Sequence, residues 1–302
     1  MRVFTTGATG FVGSHAVREL ISRGHKVLGL TRSKDAAASL AATGADAHYG
    51  TLENLDSLRS GADASDAVIH LGYNPDFSKF RESCEIDRKA IEAIGSAIAG
   101  SSKPLIVPNG IAGLAPPGRV LTEDDDVPAN YRFPRASEQT ALRLASQGVL
   151  ASVIRLPQVH NTVKQGLVTR LIEVARSKGV SAYVNDGLNR WPAAHVSDVA
   201  RLIRLALEAP EAGAKFHAVA EEGVEIRIIA SVIGRILGVP EKSLTAEEAR
   251  THFGPLSMFV SEDMPASSIA TRKKMGWQPT GPTLIADLEQ IGARADSDHH
   301  AS

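Results

Sequence analysis

Three glycines near the start of the chain, Gly7, Gly10 and Gly13, have the spacing of a loop that binds a pyrophosphate. Residues 3–6 predict a buried strand, and apolar residues from Val12 onward repeat at helical spacing. A glycine-rich turn between a strand and a helix presents free N–H groups and a positive dipole end to an anion. The glycines would permit the tight turn, the approach of the phosphates and the packing of helix on strand. An ordinary strand-to-helix turn is the alternative, but the strand and helix on either side favour a dinucleotide.

The end of the second predicted strand, residues 26–31, indicates which dinucleotide is preferred. Proteins that use NAD usually place Asp or Glu here, because the carboxylate binds the ribose 2′-hydroxyl and repels a 2′-phosphate. Here Arg32 and Ser33 follow the strand, and the first acid is Asp35. Arg32 would pair with the phosphate while Ser33 adds further donors, and a solvated arginine is the alternative. We predict a preference for NADP(H) over NAD(H).

The first 160 residues alternate between segments typical of strands and of helices. Strands are predicted at residues 3–6, 26–31, 46–49, 67–71, 105–107 and 152–155. Helices are predicted at residues 12–21, 36–42, 56–61, 81–99 and 134–145. Short apolar strands separated by helices are typical of a parallel sheet buried on both faces, and the handedness of the crossovers leads to a doubly wound sheet. The predicted fold class is therefore α/β, with a doubly wound parallel sheet and a smaller C-terminal substrate lobe.

The pattern is less regular beyond Pro157. Helices are predicted at residues 167–178 and 226–237, the second ended by Gly238, and strands at 180–183 and 216–219. Ser197 or Asp198 is expected to cap a helix that runs to residue 207. Residues 255–265 suit a mobile cover over a pocket, and residues 294–302, with His299 and His300, suit a disordered tail.

These segments suggest two domains. Residues 1–160, with parts of 180–220, are expected to form the dinucleotide-binding domain. Residues 161–293 are expected to be largely the substrate-binding lobe, followed by the tail.

Composition narrows the range of partners. The chain has 302 residues and a net charge of −1, with no basic stripe or tail, so nucleic acid and anionic membranes are poor candidates. It opens on a core strand and has no apolar run of membrane-spanning length, so we expect neither a signal peptide nor a membrane anchor. Cys84 is the single cysteine and has no companions for a metal site, so we expect no metal and a cytoplasmic location. The long helices at 81–99 and 134–145 leave a monomer or a homodimer open.

Six ordered segments carry further motifs: residues 6–13, 67–72, 122–124, 154–160, 191–200 and 276–279. Together they resemble the extended short-chain dehydrogenase/reductase family over almost the whole chain. The likeness is to its TGxxGxxG turn, its fourth-strand end beside the cofactor and the acidic turn before its catalytic helix. It extends to the sixth-strand end that holds the nicotinamide carboxamide, the HVxDVA segment and the C-terminal GWxP. The resemblance implies a Rossmann fold.

From these motifs we expect a set of residues to contact the cofactor. They are Gly7, Thr9, Gly10, Phe11, Val12, Gly13, Arg32, Ser33, Leu52, Leu71, Gly72, Pro108, Leu156, Pro157 and Val159.

The resemblance also implies a Ser or Thr after the fifth strand and a Tyr-x-x-x-Lys pair on the next helix. In that family the Tyr moves the proton, and the Lys lowers its pKa and holds the ribose. Here Asn109 follows the fifth strand, and its amide would hydrogen-bond a carbonyl. Tyr131 and Arg135 give Tyr-x-x-x-Arg, in which the guanidinium would lower the pKa of the phenol. A second register aligns residues 137–138, Ser-Glu, with the family's Ser-Lys, and both registers stay open.

Other polar residues lie near the expected cleft. Tyr73 follows the fourth strand and is the second candidate for the proton donor, or a packing residue beneath the cover, with Asp76 close by. Structural roles are expected for His70, His160, His195, Trp191 and Trp277.

These features predict an oxidoreductase that moves a hydride between NADP(H) and a small carbonyl or alcohol, with Tyr131 as the acid. Two alternatives stay open, because the family's Ser and Lys are missing. One is an epimerase or dehydratase that retains its cofactor, and the other is a non-catalytic NADP(H)-binding redox sensor.

Overall fold

The architecture is a central parallel sheet with helices on both faces and a smaller lobe on one side. The computed structural model describes residues 1–74 and 76–291. The strands in these residues are β1 (Arg2–Thr6), β2 (Lys26–Thr31), β3 (Asp46–Tyr49), β4 (Ala67–His70), β5 (Leu105–Gly110), β6 (Ala151–Leu156), β7 (Gln158–His160), β8 (Ser181–Val184), β9 (Arg190–His195), β10 (Lys215–His217), β11 (Glu221–Glu225) and β12 (Glu241–Leu244).

The α-helices are α1 (Phe11–Ser22), α2 (Lys34–Ala42), α3 (Leu55–Asp63), α4 (Phe80–Ile98), α5 (Ser137–Ser146), α6 (Val168–Lys178), α7 (Val196–Glu208), α8 (Ile226–Leu237), α9 (Ala246–Phe253), α10 (Ser257–Val260) and α11 (Ile269–Met275). A further helix begins at residue 284 and is described as far as residue 291. Within the described residues, no helix combines the length and the apolar composition that crossing a membrane requires. The expected tail at residues 294–302, with His299 and His300, lies outside the described part of the chain.

The central sheet has seven parallel strands in the order β10-β6-β5-β4-β1-β2-β3. In the middle of the sheet, Val3 pairs with Val27 on one side and with Ala67 on the other. Helices α1, α2 and α7 cover one face, and α3, α4 and α5 cover the other. Strand order reverses between β1 and β4, so a crevice opens at the carboxyl ends of these two strands. The doubly wound α/β fold predicted from the sequence is confirmed.

Two small sheets and a third apolar cluster build the lobe. Strand β9 pairs in parallel with β7 and antiparallel with β11, while β12 pairs with β8. The lobe core draws Trp191, Ile229 and Leu284 from the last third of the chain and Phe133 from the segment before α5. Trp277 instead lies in the cluster between α1 and α7, so the chain returns to the central sheet near its end. Both tryptophans are fully buried, as expected.

Two predicted helix starts were wrong. Helix α5 begins at Ser137 and not at residue 134, and the segment before it leads from Phe133, which is buried in the lobe core. Helix α7 is capped by His195, whose ring nitrogen accepts a hydrogen bond from the Ser197 N–H. Asp198 is buried instead and accepts from the backbone of the C-terminal segment at residues 280–281.

The segment at residues 255–265 is packed rather than detached. Leu256, Phe259 and Val260 are buried in the lobe core, and the segment forms helix α10. The segment is thus part of the core of the lobe, and its Phe259 and Met264 line a cavity.

A buried ion pair ties α5 to the central sheet. Both side chains, Arg155 on β6 and Glu138 on α5, are fully buried, and two hydrogen bonds of 2.9 and 2.5 Å join them. The guanidinium also donates to the carbonyl oxygens of Thr122 and Asp125 and to Nε2 of His217. Burial and the charge of Arg155 lower the pKa of His217 to about 4, so the ring is neutral and accepts this bond.

This pair generates a stability prediction. Glu138→Gln keeps the shape of the side chain but leaves a buried guanidinium without its counter-charge, so we expect the free energy of unfolding to fall by about 3–5 kcal/mol. Urea denaturation measures the change. The matched control is Asp56→Asn, which removes the carboxylate of an exposed pair with Arg59 and should cost less than about 1 kcal/mol. Similar small losses in the two variants would show that the buried pair does not hold α5 in place.

Candidate dinucleotide site and adjoining cavity

The glycine turn brings the start of α1 against the ends of β1 and β4. Gly7 has a φ of +65°, and a Cβ there would lie 2.6 Å from the carbonyl oxygen of Leu71. A Cβ at Gly13 would lie 2.0 Å from the carbonyl oxygen of Gly7. Neither position accepts a side chain, because both contacts are with backbone that cannot move aside. Thr9 and Gly10 form the exposed part of the turn.

The N-terminus of α1 is open to an anion. Gly10 is the N-cap and offers no side chain, and the first turn contains no acidic residue. The N–H groups at the start of α1 and the positive end of its dipole therefore face the crevice without a competing carboxylate. This arrangement fits the pyrophosphate of a dinucleotide.

The end of β2 presents a free cation. Arg32 is exposed and forms no ion pair with any residue that the structure describes. Ser33 caps α2 by accepting a hydrogen bond of 3.2 Å from the N–H of Ala36, which leaves its hydroxyl hydrogen free to donate. The first acid, Asp35, lies in the first turn of α2.

A cavity of about 540 Å³ adjoins the glycine turn. Six of the residues expected to contact the cofactor line it: Phe11, Val12, Leu71, Pro108, Leu156 and Pro157. All four residues expected to act in catalysis line it too: Tyr73, Asn109, Tyr131 and Arg135. Two of the expected cofactor contacts lie elsewhere. Leu52 packs against Gly72 at the end of β4, and Val159 is buried in the cluster that contains α7.

The side chain of Asn109 is fixed by its amide nitrogen. Nδ2 donates to Oε2 of Glu138 at 3.2 Å and to the carbonyl oxygen of Gly110 at 3.1 Å. Both partners are acceptors. A flip of the amide that exchanges Nδ2 and Oδ1 would therefore place Oδ1 against the oxygens of Glu138 and Gly110. We expected this amide to donate to a substrate carbonyl, and that expectation was wrong. The atom left over is Oδ1, which is buried and has no hydrogen-bond partner among the described residues.

Unlike the amide nitrogen of Asn109, the hydroxyl of Tyr131 makes no hydrogen bond with any residue that the structure describes. The ring packs against Phe133 with a centroid distance of 5.7 Å, and Tyr131 precedes α5 rather than lying on it. Burial raises the pKa of Tyr131 to about 12, and the nearby charge of Arg135 offsets this rise only in part. Arg135 lowers the pKa of this phenol, as expected, but burial outweighs the effect of its charge. The phenol stays protonated at neutral pH and is a donor.

Arg135 is held between Tyr73 and the start of α5. Its guanidinium lies 4.3 Å from the centroid of the Tyr73 ring, and its Nε donates to Oγ of Ser137 at 2.8 Å. The Tyr73 hydroxyl lies 3.4 Å from Sγ of Cys84. Burial raises the pKa of Tyr73 well above its usual range, and its contact with Cys84 adds to the rise.

A buried chain of hydrogen bonds continues from Arg135 to the glycine turn. Ser137 donates to Oδ2 of Asp87 at 2.6 Å, and Oδ1 of Asp87 lies 3.3 Å from Nε2 of His70. Nδ1 of His70 lies 2.9 Å from the hydroxyl of Thr6, which accepts a bond from the N–H of residue 72. Burial would raise the pKa of Asp87, but its bond to His70 and the charge of Arg135 outweigh that effect and hold the pKa below its usual value.

The two registers proposed for α5 can now be compared. Glu138 is turned into the ion pair with Arg155 and is fully buried, so its carboxylate does not face the cavity. Ser137 is also fully buried and bonded to Asp87. The side chains of this helix start therefore support the cavity from behind, while Tyr131 and Arg135 line it.

One wall of the cavity is apolar, and its residues were not identified from the sequence. The rings of Phe133 and Phe259 stack with a centroid distance of 5.2 Å and an angle of 3°. Phe80, Ile111 and Met264 extend this wall. The charged rim consists of Lys164, Arg170 and Glu173, and the last two form an ion pair of 2.7 Å.

The remaining polar candidates lie outside this cavity. Nδ1 of His160 is 2.7 Å from Oδ2 of Asp287, and His195 caps α7. His70 belongs to the buried chain already described. Asp76 is exposed and accepts two hydrogen bonds from Ser78 within its own turn.

Comparison with known proteins agrees with this geometry. A sequence model described as the NAD dependent epimerase/dehydratase family matches residues 3–83, which contain the glycine turn and β4. An uncharacterized protein of Schizosaccharomyces pombe is 48% identical over 289 residues, covering 95% of this chain and 98% of that protein.

Two more distant proteins have named activities. A 4-hydroxy-2-methyl-3-oxo-4-farnesyl-3,4-dihydroquinoline-1-oxide ketoreductase of Stigmatella aurantiaca is 25% identical over 269 residues, covering 84% of this chain and 80% of that protein. The crystal structure of a dTDP-glucose 4,6-dehydratase from Streptomyces venezuelae, with NAD bound, has a TM-score of 0.75 at 17% identity and covers 99% of this chain and 98% of that one. At this identity, the similarity to the dehydratase structure is one of fold alone. From the matches and the geometry of the turn, we conclude that the chain belongs to the NAD-dependent epimerase/dehydratase family, the extended short-chain dehydrogenases/reductases, whose members bind a nicotinamide cofactor.

Proposed function

We propose that the protein is an NADP(H)-dependent oxidoreductase that interconverts a small carbonyl compound and its alcohol. One observation carries this proposal: the open N-terminus of α1 and the hydroxyl of Tyr131 border the same cavity. An anion held at the start of α1 thus places the rest of a dinucleotide beside a proton donor.

The residues present fit a dinucleotide from end to end. The glycine turn and the start of α1 would hold the pyrophosphate, and Arg32 with Ser33 would hold a 2′-phosphate. Apolar side chains from α1, β4 and β6 would enclose the nicotinamide. When bound, the nicotinamide supplies or accepts the hydride.

Within this proposal the protein's own task is to position the carbonyl and to move one proton. Tyr131 is protonated at neutral pH and is the first candidate for the donor, and Tyr73 is the second. Arg135 adds positive charge next to both, which favours the negative charge that develops on the substrate oxygen.

The bacterial relative supports a reductase rather than a sensor, because that protein is named as a ketoreductase. An epimerase or dehydratase that retains its cofactor is the second candidate, and the family description favours it. Incubation with NADPH and a panel of aldehydes and ketones, followed by nicotinamide absorbance, separates the two. Stoichiometric oxidation of NADPH supports the reductase. Conversion of a substrate without net oxidation of NADPH supports the epimerase or dehydratase.

The first prediction concerns Arg32. Arg32→Ala removes the cation at the end of β2, so we expect NADP⁺ to bind about tenfold more weakly while NAD⁺ binding is unchanged. Titration calorimetry with both cofactors measures the two dissociation constants. Arg176→Ala removes an exposed arginine from α6 in the lobe and is the matched control. Equal affinity of the wild-type protein for the two cofactors would refute the NADP(H) preference.

The second prediction concerns the proton donor. Tyr131→Phe keeps the ring and removes only the hydroxyl, so kcat for carbonyl reduction should fall by about 100- to 10,000-fold. Steady-state rates measure the change, with a carbonyl compound from the panel that the wild-type protein reduces. Tyr183→Phe in β8 is the control and should leave kcat unchanged. If Tyr131→Phe keeps its turnover, Tyr73→Phe is measured in the same way, and no loss in either variant would assign the proton to water or to the substrate.

A further inference from the structure

Oδ1 of Asn109, which has no hydrogen-bond partner among the described residues, bears on whether the cavity favours an alcohol or a ketone. Asn109 is 1% exposed and lines the cavity, yet its Oδ1 has no hydrogen-bond partner among the described residues. A buried acceptor without a donor is unfavourable. A ligand that supplies the donor removes this cost and binds more tightly for that reason. An amide oxygen can only accept, so it rewards an O–H or N–H group and repels a carbonyl oxygen.

Rotation of the amide does not remove this constraint. Nδ2 is bonded to the Glu138 carboxylate and to the carbonyl of Gly110. Glu138 is itself fixed by its two bonds to Arg155. The buried ion pair therefore dictates that Oδ1 is the end of the Asn109 amide left without a partner among the described residues.

The second half of the argument is the apolar wall. The parallel rings of Phe133 and Phe259, together with Ile111 and Met264, offer no hydrogen bond to a sugar or a phosphate. At the rim, Arg170 is paired with Glu173, and Lys164 is the remaining charged residue. A ligand that fills this part of the cavity has an apolar or aromatic body.

We propose that the cavity binds an apolar alcohol, whose hydroxyl donates to Oδ1 of Asn109 while its body packs against Phe133 and Phe259. This inference rests on the proposed function and assigns its substrate class and its preferred redox form. Asn109 is then a binding residue that distinguishes the alcohol from the corresponding ketone. A Ser or Thr in the same place both donates and accepts, so it does not make that distinction.

The test uses three matched probes: 1-phenylethanol, acetophenone and the methyl ether of 1-phenylethanol. They share one apolar body and differ in whether the oxygen carries a hydrogen. Binding is measured by calorimetry to the full chain saturated with 1,4,5,6-tetrahydro-NADP, a reduced cofactor analogue that cannot give up a hydride. We expect one enantiomer of the alcohol to bind at least about fivefold more tightly than the ketone and the ether.

Variants then assign the preference to Asn109. Asn109→Ser should bind the alcohol and the ketone within about twofold of each other, because serine serves both. Asn109→Ala should bind the alcohol no better than the ether. Asn130→Ala, which removes an exposed asparagine, should retain the wild-type preference. The wild-type series does not depend on the folding of any variant.

Each failure has a separate meaning. Equal affinity of the wild-type protein for the three probes would overturn the role of Asn109. Binding of UDP-glucose but of none of the three would overturn the apolar class. If the tetrahydro-NADP itself does not bind, the proposed function fails before the probes are added.

Discussion

The close contact between Gly7 and Gly13 is the constraint on which the rest of the site depends. The carbonyl oxygen of Gly7 occupies the space that a side chain at residue 13 would need, and the end of β4 occupies the space beside residue 7. The first turn of α1 can therefore approach the sheet only with glycine at both positions. Because β1 and β4 lie next to each other in the sheet, the same contact places the helix dipole beside the cavity.

Two buried carboxylates support the residues that depart from the family pattern. Asp87 is bonded to Ser137, which accepts a hydrogen bond from Arg135, the residue that one of the two registers aligns with the family's lysine. Glu138 holds Asn109, which lies within β5 near its end and not after the strand as predicted, at the place where the family has a hydroxyl. Each carboxylate has a cationic or histidine partner of its own in the buried interior. The altered residues are thus parts of one connected arrangement rather than isolated losses.

The sequence predicts the central sheet well and the lobe poorly, for a physical reason. Strand β2 begins and ends at the predicted residues and β4 begins at its predicted residue, because strands buried on both faces leave a continuous local signal. Strand β9 contains Pro192, and β12 reads Glu-Lys-Ser-Leu, so neither carries such a signal. Their pairing with β11, β7 and β8 is decided by contacts distant in the chain. The start of α5 was also missed, and the segment before it leads from Phe133 in the lobe core.

Within the site, the sequence predicts which residues lie close together but not how their side chains are oriented. Parallel strands end at one edge of the sheet, so residues that follow β4 and β5 meet there. The direction of the Asn109 amide depends on a carboxylate 29 residues away, which no local pattern contains. Asp87 could have been found from its spacing, because it lies on the same face of α4 as Cys84, Ile91 and Ile94, all of them buried. An aspartate on an apolar face requires a buried partner, and His70, inside the apolar run of β4, has the same requirement. Asp87 and His70 would each be unfavourable alone in an apolar setting, so together they predict a buried contact between the two side chains.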